Sequence, residues 1–301
     1  MTVNVNLHRA KIEKNDEFYT QFTDVVSELK HYSGYFEDKV VFCNCDDPTY
    51  SAFWKYFHLN FAKLGLRKLI STHYDKVELT YKMEYEGGND DNVGVGIVTP
   101  LNGNGDFRSQ ECLKLLDECD IVVTNPPFSK FRDFVNVLMA YRKKFVIIGN
   151  KNAITYKGIF SLIRDNMLWT GYRGFSGGMW FYSESEGKTE KIVDGRRVVN
   201  VPSIWFTNLD HAKRHEKLVL CKSYTPEEYP MYDNYDAINV NKVKDIPVDY
   251  NGVMGVPVTF LDKYCPEQFE IIGNEYTLGI EGGRGYVDGK RMYSRIFIKR
   301  R

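Results

Sequence analysis

Four short apolar runs, each bounded by polar residues and separated by stretches of helical period, constrain this chain most. They are Val40-Val41-Phe42-Cys43, Lys68-Leu69-Ile70-Ser71-Thr72, Ile121-Val122-Val123-Thr124 and Lys144-Phe145-Val146-Ile147-Ile148-Gly149. Runs such as 121–123 and 146–148 have no polar alternation, which suits strands covered on both faces. Between them, Ser51 to Leu64 spaces Phe53, Trp54, Phe57 and Phe61 as a helix would and stops at Gly65. Ser109 to Cys119, Phe131 to Tyr141 and Tyr156 to Asn166 also read as helices. Strands alternating with helices of this length predict βαβ units, an α/β class and a parallel sheet.

The flanking regions read differently. The first 35 residues are polar and helical in pattern, with Val25, Val26 and Leu29 as a short stripe. Residues 81–106 suggest a β-hairpin followed by a Gly/Asn loop. Beyond Trp169 the runs 174–182 and 203–207 look like strands, with Gly195 in the turn region between them. From Tyr224 to Tyr250 the chain is rich in Tyr, Asp and Asn and shows no helical period. The final Lys299-Arg300-Arg301 reads as a frayed tail.

A chain of 301 residues, 43% apolar, can bury a large core as one or two domains. Lys+Arg and Asp+Glu are both 40, so bulk charge names no partner. Split at Tyr141, residues 1–140 hold 15 basic and 21 acidic groups, and the rest 25 and 19. An acidic front of −6 and a basic back of +6 suit a protein with one polyanion-facing half. No apolar run is long enough to span a membrane, and the start lacks the features of a secretory signal. The six cysteines include no Cys-x-x-Cys pair and read as reduced thiols of a cytoplasmic protein.

The most specific segment is Asp120-Ile-Val-Val-Thr-Asn-Pro-Pro-Phe128. A strand feeds a loop whose two prolines fix φ and remove two backbone donors. Such a loop is stiff and offers acceptors: the Asn125 side-chain oxygen and the Pro126 carbonyl. Phe128 adds a π-face. This set suits a planar heterocycle with an exocyclic amine, whose nitrogen is a poor nucleophile because its lone pair is delocalised. Two acceptors on its hydrogens draw the nitrogen toward sp³ and aim the lone pair outward. Base stacking on an aromatic ring adds about 1–3 kcal/mol. The plainer alternative is a Pro-Pro turn with a core phenylalanine.

With Asn125-Pro126-Pro127-Phe128 after a strand, the chain resembles class I, S-adenosylmethionine-dependent amino-methyltransferases that act on adenine. Further segments make it similar to the EcoRI modification methylase family. They are Asp16-Glu17-Phe18-Tyr19-Thr20-Gln21, residues 41–48, Gly105-Asp106-Phe107-Arg108-Ser109, residues 232–241 and residues 250–257. The resemblance covers nearly the whole chain and is weakest at 170–205 and 273–292. It implies a Rossmann-like catalytic and cofactor domain over 1–215 and a DNA target-recognition region over 216–301, with parts of 170–205 also available to DNA. It further implies double-stranded DNA as partner, a cognate restriction endonuclease acting on the same site without contact, and no membrane.

Carried over residue by residue, the resemblance puts Asn125, Pro126 and Phe128 around a flipped adenine, with Pro127 stiffening the loop. Tyr19 and Thr20 fall where such enzymes lay an N-terminal segment over the methionine part of the cofactor. Asp106 falls where an acid takes the cofactor's adenine amine, and Phe107 where an aromatic packs on its ring. Many relatives have Gly-x-Gly after the first strand; here stands Asn44-Cys45-Asp46-Asp47-Pro48, with no glycine. Only glycine enters left-handed geometry freely, so this loop is expected to be shaped differently. Asn44, Asp46 and Asp47 are the expected cofactor contacts, although either aspartate could instead cap the next helix. Asp75 lies near the spacing of an acid after the second strand.

Other signals are weaker. Arg142-Lys143-Lys144, Arg196-Arg197 and Lys213-Arg214 are candidate phosphate contacts of a basic DNA channel. Aromatics at 180–182 could close the second face of the flipped base or fill the core. His211 and His215, four apart, could bind a metal, but no third ligand is evident. Competing readings are an RNA adenine or protein glutamine methyltransferase and a catalytically silent DNA-binding module. A nicotinamide oxidoreductase is disfavoured by the missing Gly-x-Gly-x-x-Gly.

Overall fold

The computed structural model describes residues 19–74, 79–175, 177–183, 190–193 and 195–301. The expectations placed on 1–18, on Asp75 and on Ser176 lie outside these residues. The chain forms two compact units, one from 1–154 with 171–209, the other from 155–170 with 210–301. This division differs from the expected 215/216 boundary in two ways. The break falls at 209/210, and the segment 155–170 sorts with the C-terminal chain.

In the first unit, seven strands lie in one mixed sheet. Their order is Ile97–Pro100, Tyr81–Tyr85, Lys68–Thr72, Val40–Cys43, Ile121–Thr124, Lys144–Asn150 and Ser203–Thr207. The four apolar runs form its parallel centre, as their composition requires. Val40–Cys43 and Ile121–Thr124 are buried at every position. The parallel sheet expected from the pattern is confined to this centre: strands on both flanks run antiparallel, the expected hairpin among them. The 81–100 flank is largely open, since antiparallel strands need not be covered on both faces, whereas Ser203–Thr207 is buried throughout.

Helix Ala52–Leu59 starts at Ser51, whose hydroxyl accepts from the amides of Phe53 and Trp54. Its Phe53, Trp54 and Phe57 enter a core with Val41, Val123 and Ile148. The strongly patterned N-terminal stripe forms helix Phe22–Leu29. A second sheet in this unit is antiparallel throughout. Its order is Tyr19–Thr20, Met179–Tyr182, Arg196–Val201, Glu190–Val193.

The second unit holds a five-stranded sheet in the order Met231–Tyr232, Tyr235–Asn239, Met254–Pro257, Arg295–Arg300, Phe269–Asn274. The frayed-tail expectation is overturned here. Arg295–Arg300 is an interior strand, with Lys299 opposite Glu270 and Arg300 opposite Phe269. Its apolar part, Ile296-Phe297-Ile298, is buried.

The charge asymmetry along the chain does not correspond to these units. The first carries 24 basic and 25 acidic residues and the second 16 and 15. The basic surplus of the back half sits in 141–154 and 171–209, within the first unit. No described helix is long and apolar enough to cross a membrane, and the six cysteines are free thiols.

Candidate active site

Topology selects the place. From Val40–Cys43 the chain moves to Lys68–Thr72 on one side and returns to Ile121–Thr124 on the other. The crossovers reverse direction between Val40–Cys43 and Ile121–Thr124. In open α/β sheets, ligands bind at such a switch point, outside the carboxyl ends of the strands. The loops 44–48 and 125–128 both leave the sheet there.

Asp46 ties these two loops together. Its Oδ2 accepts a short hydrogen bond from the Thr124 hydroxyl and one of 3.4 Å from the Asn125 amide. The Thr124 hydroxyl also lies against the Asn44 carbonyl, and the Ser71 hydroxyl donates to the Asp46 carbonyl. Burial pushes the Asp46 carboxyl up to about 7, against the opposing pull of donors from Thr124, Asn125 and Ser51. Asn44 is buried, and its Oδ1 accepts from Thr72 Oγ1 at 3.2 Å.

The missing glycine is accounted for by Cys45, which adopts the left-handed conformation itself at φ +63°. For a non-glycine residue this costs about 1–2 kcal/mol, which the surrounding bonds hold in place. Burial pushes the Cys45 thiol well up, so it is no thiolate nucleophile. The Asp106 carboxylate and the Phe107 backbone amide also act on that thiol. The 105–108 segment therefore lies at the same loop. Gly105, at φ +72°, allows this approach: a Cβ there would meet the His73 carbonyl oxygen at 2.3 Å.

The two remaining acids are already engaged. Asp47 Oδ1 accepts from the Thr49 amide and hydroxyl and from the Tyr81 hydroxyl at 2.9 Å, while Oδ2 meets His73 Nδ1 at 3.0 Å. Asp47 thus pins the loop to the second strand's end. Neither it nor Asp46 caps the following helix, because Ser51 does. The Asp106 carboxylate takes the Arg108 guanidinium at 2.9 and 2.7 Å, and that pairing holds its carboxyl below the usual range. Phe107 is buried edge-to-face on Phe134.

Around the proline loop, Pro126 is buried and Asn125, Pro127 and Phe128 are half-buried. Phe128 opens a single 3₁₀ turn, Phe128–Lys130, and meets Phe181 edge-to-face at 6.2 Å between ring centres. Phe181 belongs to the second sheet, directly opposite Thr20 in register. Tyr19 lies half-open against Tyr50. Thr20 Oγ1 is buried and has no hydrogen-bond partner among the described residues. An orphaned hydroxyl beside the proline loop and a carboxylate at the strand end are what a zwitterionic ligand with an ammonium and a carboxylate would satisfy.

The candidate phosphate contacts diverge. Arg142, at φ +54°, is exposed at the end of helix Phe131–Ala140. Lys143 is spent on the carbonyls of Asp117 and Cys119, at 2.8 and 2.7 Å. Arg196 is exposed, and Arg197 lies 3.8 Å from Glu190. In the second unit Lys213 is half-buried. Arg214 is buried there, bonded to Asp210 and Asn166 and stacked on Trp169. Lys143 and Arg214 are therefore internal braces. The two histidines also diverge: His211 is buried on the Thr170 carbonyl, and His215 bridges Asp210 and Glu267.

Sequence reasoning missed Thr124, Ser71 and His73. Their common signal is a hydroxyl or imidazole at the carboxyl end of a strand, a position that faces the switch point.

The family model described as "Adenine-specific methyltransferase EcoRI" matches residues 6–301. The chain is 48% identical to the Type II methyltransferase M.EcoRI of Escherichia coli, over 97% of this chain and 95% of that protein. It is 40% identical to the Type II methyltransferase M.MpnI of Mycoplasma pneumoniae, over 98% of each. No solved structure gives a significant match. With matches spanning almost its full length, the chain belongs to the EcoRI family of adenine-specific methyltransferases.

Proposed function

We propose that this enzyme transfers a methyl group from S-adenosylmethionine to the N6 atom of an adenine flipped out of double-stranded DNA, at a specific site within a restriction-modification system. The observation that carries this reading is the junction of the Asn125–Phe128 loop with the 44–48 loop through Asp46. It lies at the switch point of a sheet that we read as a Rossmann-like class I methyltransferase core. The second unit then serves as target-recognition region, and a cognate endonuclease would act on the same site without contact.

When bound, S-adenosylmethionine supplies a methyl group on a positively charged sulfur. Thr20, Asn44 and Asp46 are the residues that would hold its polar ends, with Tyr19 bordering it. Asp106 and Phe107 would frame its adenine. Asp47 acts one step back, by fixing the loop. The Asn125 side-chain oxygen and the Pro126 carbonyl accept the two amine hydrogens of the target adenine. That orients the N6 lone pair, and oriented approach at about 3–3.5 Å lowers a barrier by several kcal/mol. Phe128 takes the base face, and its edge-to-face contact with Phe181 fixes its ring plane. Taking the base out of the stack costs a few kcal/mol, which this pocket repays. No strong general base is required, since N6 can lose its proton after transfer.

The test is methylation-aware sequencing of DNA from cells expressing the chain. N6-methyladenine at one recurring sequence is the expected result. Label found only in RNA or protein, or cofactor binding without DNA methylation, would overturn the reading.

A further inference from the structure

The second sheet of the first unit has two unlike faces. Directly paired residues on antiparallel strands share a face, and the faces alternate along each strand. The register sets Tyr182 opposite Val198 and Val198 opposite Lys191, with Trp180 and Arg196 each two residues along. Trp180, Tyr182, Lys191 and Arg196 therefore stand on one face. Phe181, Val199, Glu190 and Arg197 stand on the other.

On the second of these faces Phe181 and Val199 are buried, and Arg197 lies 3.8 Å from Glu190. On the first only Val198 is buried, and Trp180 and Tyr182 are half-buried. Lys191 and Arg196 are exposed, and among the described residues no carboxylate pairs with either cation or stands on that face. Each cation instead rests on an aromatic ring. Lys191 Nζ lies 4.2 Å from the Trp180 ring centre, and the Arg196 guanidinium lies 5.5 Å from that of Tyr182. Cation–π contact confines a long side chain without neutralising it. The rings are covered by these cations, so the face offers placed positive charge rather than a stacking platform for bases. Diagonal neighbours on paired strands are about 7–8 Å apart, comparable to the separation of successive phosphates along a nucleic-acid strand.

We propose that this face is a phosphate-contact surface for double-stranded DNA, with Lys191 and Arg196 neutralising two backbone phosphates. The other face of the same sheet meets Phe128 through Phe181, so the surface lies one sheet thickness from the base-holding loop. Its occupant is the duplex backbone. Its contribution is affinity and register, with no base readout. The inference rests on the duplex-DNA reading above.

Binding of the full-length protein to a fluorescent duplex is measured against salt by anisotropy, for both a methylated-site sequence and an unrelated one. Each phosphate contact contributes about 0.9 to the slope of log affinity against log salt. The pair Lys191→Gln with Arg196→Gln should make the slope shallower by about two and weaken both duplexes by the same factor. The pair Lys63→Gln with Lys114→Gln on the same unit should leave the slope unchanged. If the wild type binds duplex and the Lys191/Arg196 pair keeps its slope, the surface is overturned and the functional reading stands. If the control pair flattens it equally, the effect is bulk charge and the surface is likewise overturned. Wild-type protein that binds no duplex, or binds only RNA, overturns both.

Discussion

The carboxylate of Asp46 accepts from the Thr124 hydroxyl and the Asn125 amide, so its protonation state bears on the proline loop. Its folded value, about 7, lies above its unfolded value of about 4. The sign follows from linkage. This group's contribution to stability is complete below the unfolded value and is lost as pH rises through about 7. The ionised form is the one that pairs with a ligand ammonium, so the rise in pH that lowers stability favours the ligand-holding form. Turnover of the wild type should rise through an inflection near pH 7, and Asp46→Asn, which keeps a carbonyl but does not ionise, should flatten the profile. An unchanged inflection in the variant would separate Asp46 from it. Asn125→Ala should cut turnover at least a hundredfold while cofactor affinity, read by calorimetry, changes little. Equal loss of both would contradict its role on the amine. The Asn125–Phe128 segment was legible as a stiff strand-end loop because Pro126 and Pro127 have few other uses after a buried strand. Thr124 was not, since a threonine ending a strand is common and only the fold brings Asp46 to it.

At the scale of elements, the buried strands were legible as unbroken apolar runs and their helices by their period. Helix Ala52–Leu59 also carries its own start signal, and Ser51→Ala should cost about 1 kcal/mol in denaturant unfolding. The strands of the second unit were not legible. Tyr235–Asn239 and Phe269–Asn274 mix polar and apolar residues without clean alternation, and the first pairs with a strand of only two residues, Met231–Tyr232, that carries little pattern of its own. The terminal strand was misread because its last residues are Lys299, Arg300 and Arg301, although Ile296 to Ile298 before them are buried. Deleting 295–301 removes a strand from between Met254–Pro257 and Phe269–Asn274. The second unit should then lose its cooperative thermal transition and become sensitive to protease. A truncated protein with unaltered melting would restore the frayed-tail description.

Over the whole molecule, linear charge proved a poor guide because folding regroups the chain. Residues 141–154 and 171–209, which hold most of the back half's basic surplus, join the acidic front in one nearly neutral unit. The loops of the candidate site lie within one unit, whereas the expected boundary cuts across the division into units. They all follow strands of the first unit, whereas the boundary depends on where 155–170 packs. That segment has a practical meaning for anyone recombining these enzymes. Helix Lys157–Arg164 is in contact with strand Phe269–Asn274, more than a hundred residues downstream. A chimera joined at a single point near 210 would graft a foreign C-terminal part onto a resident helix shaped for another partner. Exchanging the second unit between relatives calls for two grafts made together, 155–170 along with 210–301.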